Sequence, residues 1–270
     1  EVIGLAHEAD ASVEGDVLRA DLLDREAMLR AVAAARADAV IHLAAISFVA
    51  HDDVDEMYRV NLLGTRNLLQ ALAACPRQPR VVVLASSANV YGNAREDPIT
   101  ENTPFAPVND YAVSKLAMER MARLWMDRLP IVITRPFNYT GVGQSERFLV
   151  PKIVAHFRRG ERVIELGNTN VRRDFSDVRD VAQAYVALLD KAPVGQAFNL
   201  CSGRVCSLDE ILDMMAGIAG YRIEVRVNPA FVRSNEVVRL AGSNARLREV
   251  TGMVPSTPLR DTLAWMYAAR

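Results

Sequence analysis

The sequence has little cysteine and no pairing pattern for it. Cys75, Cys201 and Cys206 are an odd number with no C-x-x-C spacing. That argues against a disulfide framework and for buried thiols in a reducing compartment. The four histidines, His7, His42, His51 and His156, are scattered, and no two have metal-ligand spacing, so no metal site is expected. An excess of charge is also missing. Against 32 Lys and Arg stand 33 Asp and Glu, for a net charge of −1. Neither a nucleic-acid partner nor a membrane surface is expected from that balance. No apolar run approaches the ~18 residues a membrane span needs, and no signal peptide, internal repeat or low-complexity segment is evident. A cytoplasmic enzyme-sized globule is the expectation. Its 270 residues, half of them hydrophobic, suffice for one large core or two unequal domains.

What is present alternates. Residues 1–6 read as a strand and 24–36 as a helix with Asp24 as its N-cap. The run Val40-Ile41-His42-Leu43-Ala44-Ala45 reads as a strand buried on both faces. A long helical pattern follows over 52–74, in which Tyr58, Asn61, Leu62, Thr65, Leu68 and Leu69 recur at three- and four-residue steps. Then come a strand at 80–85, a helix at 110–128 and a buried strand at 131–134. Strands alternating with helices predict an α/β fold with a doubly wound parallel sheet. Past Arg135 the pattern is more broken. A loop is expected over 136–144, a helix at 148–159, short strands near 162–166 and 171–175, and a helix at 177–190. A strand at 197–200, a helix at 208–219 and two short helices near 243–250 and 257–269 complete the chain. The expected division is 1–140 as one domain, with 177–200 returning to it, and 141–270 as a smaller α+β domain.

The stretch Ser86–Lys115 carries the chemistry. A strand runs out into Ser86-Ser87-Ala88-Asn89-Val90-Tyr91-Gly92, and Asn109-Asp110-Tyr111-Ala112-Val113-Ser114-Lys115 opens a helix. Tyr111 and Lys115 are about one helical turn apart and share a face. A phenol with a pKa near 10 is a poor acid–base at neutral pH. A lysine ammonium ~4–5 Å away favours the phenolate by roughly 3–4 kcal/mol at an effective dielectric near 20. That brings the phenol towards working pH, and a serine hydroxyl can hold the reacting oxygen.

These motifs resemble the extended short-chain dehydrogenase/reductase superfamily of nucleotide-sugar enzymes. The likeness lies in the strand ending at Ser86-Ser87 with Val90-Tyr91-Gly92, in Pro107-x3-Tyr111-x3-Lys115, and in Arg135-Pro136-Phe137-Asn138. It implies a Rossmann domain for NAD(P) and a C-terminal domain for a nucleotide sugar. It also implies that Ser87, Tyr111 and Lys115 are catalytic. Cofactor contacts are implied for Asp21 and Leu22 (adenine), Leu43, Ala44 and Ala45 (a small-residue turn), Ser86, Tyr111, Lys115 and Phe137. Asn61 is implied to be structural, near the active site. After the first strand the chain has Ala6-His7 where NAD-specific members carry an acid, which favours NADP(H) over NAD(H). One departure is large. The superfamily's glycine-rich GxxGxxG turn is absent, and a strand and helix are expected to be missing in front of Glu1. A protein truly lacking them is expected to lose a central strand and the phosphate cradle.

The resemblance also narrows the reaction. Dehydratases of this superfamily carry acids immediately after the catalytic Ser or Thr, whereas here Ala88 and Asn89 follow Ser87. Neither is a base at neutral pH, so elimination of water is disfavoured, and 4-keto reduction or 4-epimerisation remains. Leu166-Gly167-Asn168-Thr169-Asn170-Val171-Arg172-Arg173-Asp174-Phe175 and Val232-Arg233-Ser234-Asn235-Glu236-Val237 resemble the GDP-mannose 4,6-dehydratase branch. By that resemblance Asn138, Lys152 and Arg173 meet the diphosphate, Arg233 and Glu236 the nucleoside, and Ser87 the sugar. The charges suit a GDP-sugar. Reduction of GDP-4-dehydro-6-deoxy-D-mannose is the expected activity, with a 4-epimerase holding NAD, or a dehydratase-like enzyme, as alternatives. A homodimer through helices 52–74 and 110–128 is implied.

Overall fold

The computed structural model describes residues 1–7, 16–49, 51–232 and 237–269. The strands are β1 (Ile3–Ala6), β2 (Asp16–Arg19), β3 (Ala39–His42), β4 (Val81–Ala85), β5 (Ile131–Pro136), β6 (Asn138–Thr140), β7 (Val163–Leu166), β8 (Arg172–Asp177), β9 (Ala197–Leu200), β10 (Val205–Ser207), β11 (Glu224–Val227) and β12 (Arg239–Leu240). The helices are α1 (Arg25–Ala35), α2 (Val54–Tyr58), α3 (Thr65–Ala74), α4 (Asp110–Arg123), α5 (Leu149–Arg158), α6 (Val178–Lys191), α7 (Leu208–Ala219), α8 (Ala245–Thr251) and α9 (Leu259–Ala268). A π turn, Arg59–Gly64, joins α2 to α3. Two compact units result. The first comprises Glu1–Val90, Asn109–Thr134 and Leu188–Ala197; the second comprises Tyr91–Val108, Arg135–Ala187 and Phe198–Arg270.

The first unit is built on β3, β4 and β5, which lie side by side in that order and run parallel. A separate parallel pair, β1-β2, belongs to the same unit. Val81, Val82, Val83 and Leu84 are wholly buried, as an unbroken aliphatic strand covered on both faces requires. α1 begins where Asp24 accepts from the backbone N–H groups of Glu26 and Ala27, at 3.0 and 2.9 Å. Its Met28, Ala31 and Val32 pack with Leu68, Leu69 and Leu72 of α3, with Met118 and Ala122 of α4, and with Val82, Leu84, Ile131 and Ile133 of the sheet. Each large side chain so buried contributes roughly 1.5–3 kcal/mol.

Two expectations need correction here. β3 is not buried on both faces: Ile41 is 36% exposed and Leu43 59% exposed. Among the described residues β3 pairs with β4 alone, so its other edge stays open. α4 stops at Arg123 instead of continuing to 128. The N–H groups of Leu124 and Trp125 reach back only three residues, to Met121 and Ala122, and tighten the chain into turns.

In the second unit β8 lies between antiparallel β10 and parallel β12, and β6 pairs with β8. The segment expected as a loop over 136–144 therefore contains a strand. β7 and β11 form a parallel pair. α5, α7 and α9 supply Ile153, Phe157, Ile211, Met215, Leu263 and Met266 to a second apolar core. A capping box, Ser207 with Glu210, starts α7, and Gly220 at φ 81° ends it in the left-handed conformation that glycine favours.

Candidate active site

β4 ends at Ala85 and delivers Ser86 and Ser87 to a buried position. The Ser86 N–H donates to Thr134 O at 2.8 Å, which ties the exit of β4 to β5. A single 3₁₀ turn, Ala88–Tyr91, follows. It folds Asn89 back so that its backbone N–H and its side-chain Nδ2 both donate to Ser87 Oγ, at 3.2 and 3.1 Å. With those lone pairs engaged, the serine proton is aimed away from Asn89.

α4 starts at Asn109, whose side chain accepts from the Ala112 N–H at 2.8 Å. Tyr111, Ser114 and Lys115 are buried on this helix. Lys115 Nζ donates to Ala85 O at 2.8 Å. The lysine thus pins α4 to the peptide just before Ser86, and one folded unit brings Ser86, Ser87, Tyr111 and Lys115 into the same neighbourhood. Burial lowers the Lys115 pKa to about 8, with Glu119 acting in the opposite direction. At neutral pH the group is still mainly an ammonium.

Behind α4 lies a buried polar cluster. Asn61, in the π turn, accepts from Ile46 N–H at 2.9 Å and donates to Ile46 O at 3.1 Å and Ser114 Oγ at 3.0 Å. Ser114 Oγ donates to Tyr111 O at 2.8 Å. His42, at the end of β3, contacts Thr65 Oγ1 at 3.0 Å, and Thr65 Oγ1 donates to Asn61 O at 2.8 Å. Sequence reading singled out Asn61 but missed His42, Thr65 and Ser114. The three- and four-residue steps of 52–74 were the available signal for Thr65.

The other predicted residues divide between the two units. In the first, Asp21 Oδ1 accepts from Leu23 N–H at 2.8 Å, and Leu22 O accepts from Asn67 Nδ2 at 2.9 Å. Leu22 also packs on Gly64, where a Cβ would lie 2.9 Å from the leucine Cβ. Leu43 and Ala44 are exposed and Ala45 is half-buried past the end of β3. In the second unit Phe137 is buried, and Asn138 Nδ2 donates to Asp174 O at 3.3 Å. Lys152 Nζ donates to Glu165 O at 2.7 Å and stands 4.7 Å from the centroid of the Phe231 ring. Arg173 Nη1 donates to Arg172 O and Val238 O, at 3.2 and 3.1 Å. Arg233 and Glu236 lie outside the described residues. Among the described residues, no three His, Cys, Asp or Glu side chains are grouped to hold a metal ion, and no helix is long and apolar enough to cross a membrane.

Comparison with known proteins places this arrangement. The sequence profile of GDP-mannose 4,6 dehydratase matches residues 5–266. The chain belongs to this family, within the extended short-chain dehydrogenases/reductases. It is 38% identical over 237 residues to GDP-6-deoxy-D-mannose reductase of Pseudomonas aeruginosa, covering 84% of this chain and 78% of that protein. With GDP-6-deoxy-D-talose 4-dehydrogenase of Aggregatibacter actinomycetemcomitans it shares 33% over 234 residues, covering 86% and 80%. The solved structure of RMD from Pseudomonas aeruginosa complexed with NADPH has a TM-score of 0.85 at 34% identity, over 96% of this chain and 90% of that one. A crystal structure from Burkholderia cenocepacia J2315 gives 0.91 at 52%, over 99% and 90%. The fold is accordingly a Rossmann-type α/β, and the chain is an oxidoreductase enzyme.

The dehydratase-family site also fits the nicotinamide cofactor that membership implies. Ser86 Oγ is buried without a hydrogen-bond partner at the carboxyl end of a parallel strand, where such folds bind ligands. Ala44 and Ala45 present short side chains past the end of β3, and bare Gly64 lets the Leu22 loop approach.

Proposed function

We propose that the chain is a GDP-sugar 4-keto reductase that converts GDP-4-dehydro-6-deoxy-D-mannose into GDP-D-rhamnose using NADP(H). The observation that carries this reading is Asn89. It occupies the position where dehydratases of the family hold an acid, and its amide donates to Ser87 Oγ. An amide cannot shuttle protons for loss of water, but it aims the serine hydroxyl. The reductase and dehydrogenase names of the two relatives support the same class.

The chemistry asked of the residues is modest. A reduced nicotinamide supplies the hydride to C4 when bound. Ser87 holds the C4 carbonyl oxygen through its own hydroxyl proton, the one Asn89 leaves directed outward. Tyr111 Oη gives its proton to that oxygen as negative charge develops there, and the alcohol results. Lys115, an ammonium at neutral pH, favours the phenolate left on Tyr111 and holds the nicotinamide ribose. Asp21 and Leu22 take the adenine, Leu43-Ala44-Ala45 and Phe137 line the cofactor, and Ser86 offers it a free hydroxyl. The position where NAD-specific members carry an acid is held by Ala6, followed by His7, and neither is a carboxylate that would repel a 2′-phosphate, which favours NADP(H). Asn138, Lys152, Arg173, Arg233 and Glu236 hold the GDP half. Lys152 and Arg173 each donate to backbone carbonyls, and both carry the positive charge a diphosphate needs.

The test is to generate the keto sugar from GDP-mannose with a dehydratase, add the intact protein and NADPH, and follow absorbance at 340 nm. NMR of the product then reads C4. Stoichiometric NADPH oxidation with a rhamno product supports the proposal. A changed sugar without net oxidation identifies an epimerase and overturns it.

A further inference from the structure

The polar cluster behind Tyr111 has only one possible order of donors. Thr65 has a single hydroxyl proton, and its 2.8 Å contact with the carbonyl of Asn61 consumes it, because a carbonyl can only accept. The 3.0 Å contact with His42 is therefore donated by Nε2–H. That fixes the imidazole as the neutral Nε2-protonated tautomer. Burial and the nearby charge of Lys115 lower the His42 pKa to about 3, so it remains in that form at working pH. The Asn61 amide is equally constrained. Its oxygen takes Ile46 N–H, and its two protons go to Ile46 O and Ser114 Oγ. Ser114 then gives its own proton to Tyr111 O.

The π turn gives this order a purpose. In a regular α-helix the Thr65 N–H would bond to Asn61 O. Here it bonds to Leu62 O, three residues back, and the Thr65 hydroxyl takes Asn61 O instead. The side chain substitutes for the backbone bond that the wide turn gives up. Without it, closing the turn to α geometry removes one residue from the winding and rotates Asn61 by about 100° relative to α3. Asn61 would then leave both Ile46 and Ser114.

We propose that Thr65 and His42 are positioning residues for the catalytic turn: they hold open the π turn that aims Asn61 at Ser114, and through Ser114 they fix the peptide of Tyr111. This rests on the reading of Tyr111 as the proton donor. Neither residue touches the reacting atoms; their effect is on where the phenol stands.

The test uses the intact protein with Thr65→Val, which keeps the shape and removes the hydroxyl, and Thr65→Ser, which keeps the hydroxyl. The valine variant is expected to lose kcat by about tenfold or more, as a small misplacement of a reacting group does. Its KM for NADPH should stay within about twofold of wild type, since the contacts that set uniform binding are intact. The serine variant should recover most of the rate. A valine variant with wild-type kcat, or a serine variant as slow as valine, overturns the proposal. Nitrogen NMR of His42 gives a second readout that does not need turnover. The Nε2–H tautomer is expected in wild type and Thr65→Ser, unchanged between pH 5 and 8. An Nδ1–H tautomer, or titration in that range, also overturns it. Should wild type fail to oxidise NADPH with the keto sugar, the reading of the reaction falls, while the His42 spectrum still decides the hydrogen-bond order.

Discussion

Lys115 is under two opposing demands. The proposed chemistry needs a cation beside Tyr111, whereas its surroundings are apolar enough to lower its pKa from 10.5 to about 8. A folded pKa below the unfolded one means that stability is present above pH 10.5 and lost as pH falls towards 8. At pH 7 the whole cost is in force, about 3 kcal/mol at 1.36 kcal/mol per unit. Lys115→Met is therefore expected to abolish reduction yet raise unfolding stability by roughly 2–3 kcal/mol, read from denaturant midpoints at pH 7. Tyr111→Phe should lower kcat at least ~100-fold without unfolding the protein, the usual reach of a general acid. His42 behaves similarly on the acid side. Its folded pKa of about 3 lies below the ordinary 6.5, so its contribution is full above pH 6.5 and is lost as pH falls towards 3. By pH 5 the loss reaches about 2 kcal/mol. A pH series of unfolding midpoints, flatter below pH 6.5 in His42→Gln than in wild type, checks it. At this scale the Tyr111–Lys115 pair was legible because the two stand one turn apart on a helix, whereas the bond from Lys115 Nζ to Ala85 O that brings them to Ser86 and Ser87 was not. Asn89 was legible only as a missing acid. Its bond to Ser87 depends on the 3₁₀ turn at Ala88–Tyr91, which nothing in the residue pattern announces.

Elements were legible in proportion to their burial. β4 and β5 are unbroken aliphatic runs, and α1 carries a plain N-cap at Asp24; each was read close to its true bounds. β2, β10 and β11 were missed. They are three or four residues long and at most half-buried, so no hydrophobic period is available to mark them. β3 misled in the opposite direction, since its apolar composition exceeds its burial among the described residues. The π turn was invisible because 3.6-residue periodicity on both sides masks one extra residue. Its Gly64 has a local consequence that can be measured. A Cβ there would stand 2.9 Å from Leu22 Cβ. Gly64→Val is expected to destabilise the first unit by about 1–3 kcal/mol, as overpacking does. The change should appear in the denaturant midpoint, and displacement of the Leu22 loop should weaken NADPH binding.

At the scale of the whole molecule, family membership follows from a profile match over residues 5–266, whereas the choice of reaction depends on a few side chains. We further propose a homodimer through the long helices of the first unit. Leu63, Val113 and Leu124 are exposed apolar side chains on or beside them, Leu124 at 80%. Sedimentation of the intact protein should give a dimer, and Leu124→Lys should shift it towards monomer. The proposed substrate half rests on Lys152, whose Nζ donates to Glu165 O, and on Arg173, whose Nη1 donates to Arg172 O and Val238 O. The most direct measurement of the central claim is NADPH oxidation at 340 nm with GDP-4-dehydro-6-deoxy-D-mannose, followed by NMR of the product. One NADPH consumed per sugar, with GDP-D-rhamnose formed, is the predicted result. Conversion of the sugar with no net NADPH oxidation would contradict it.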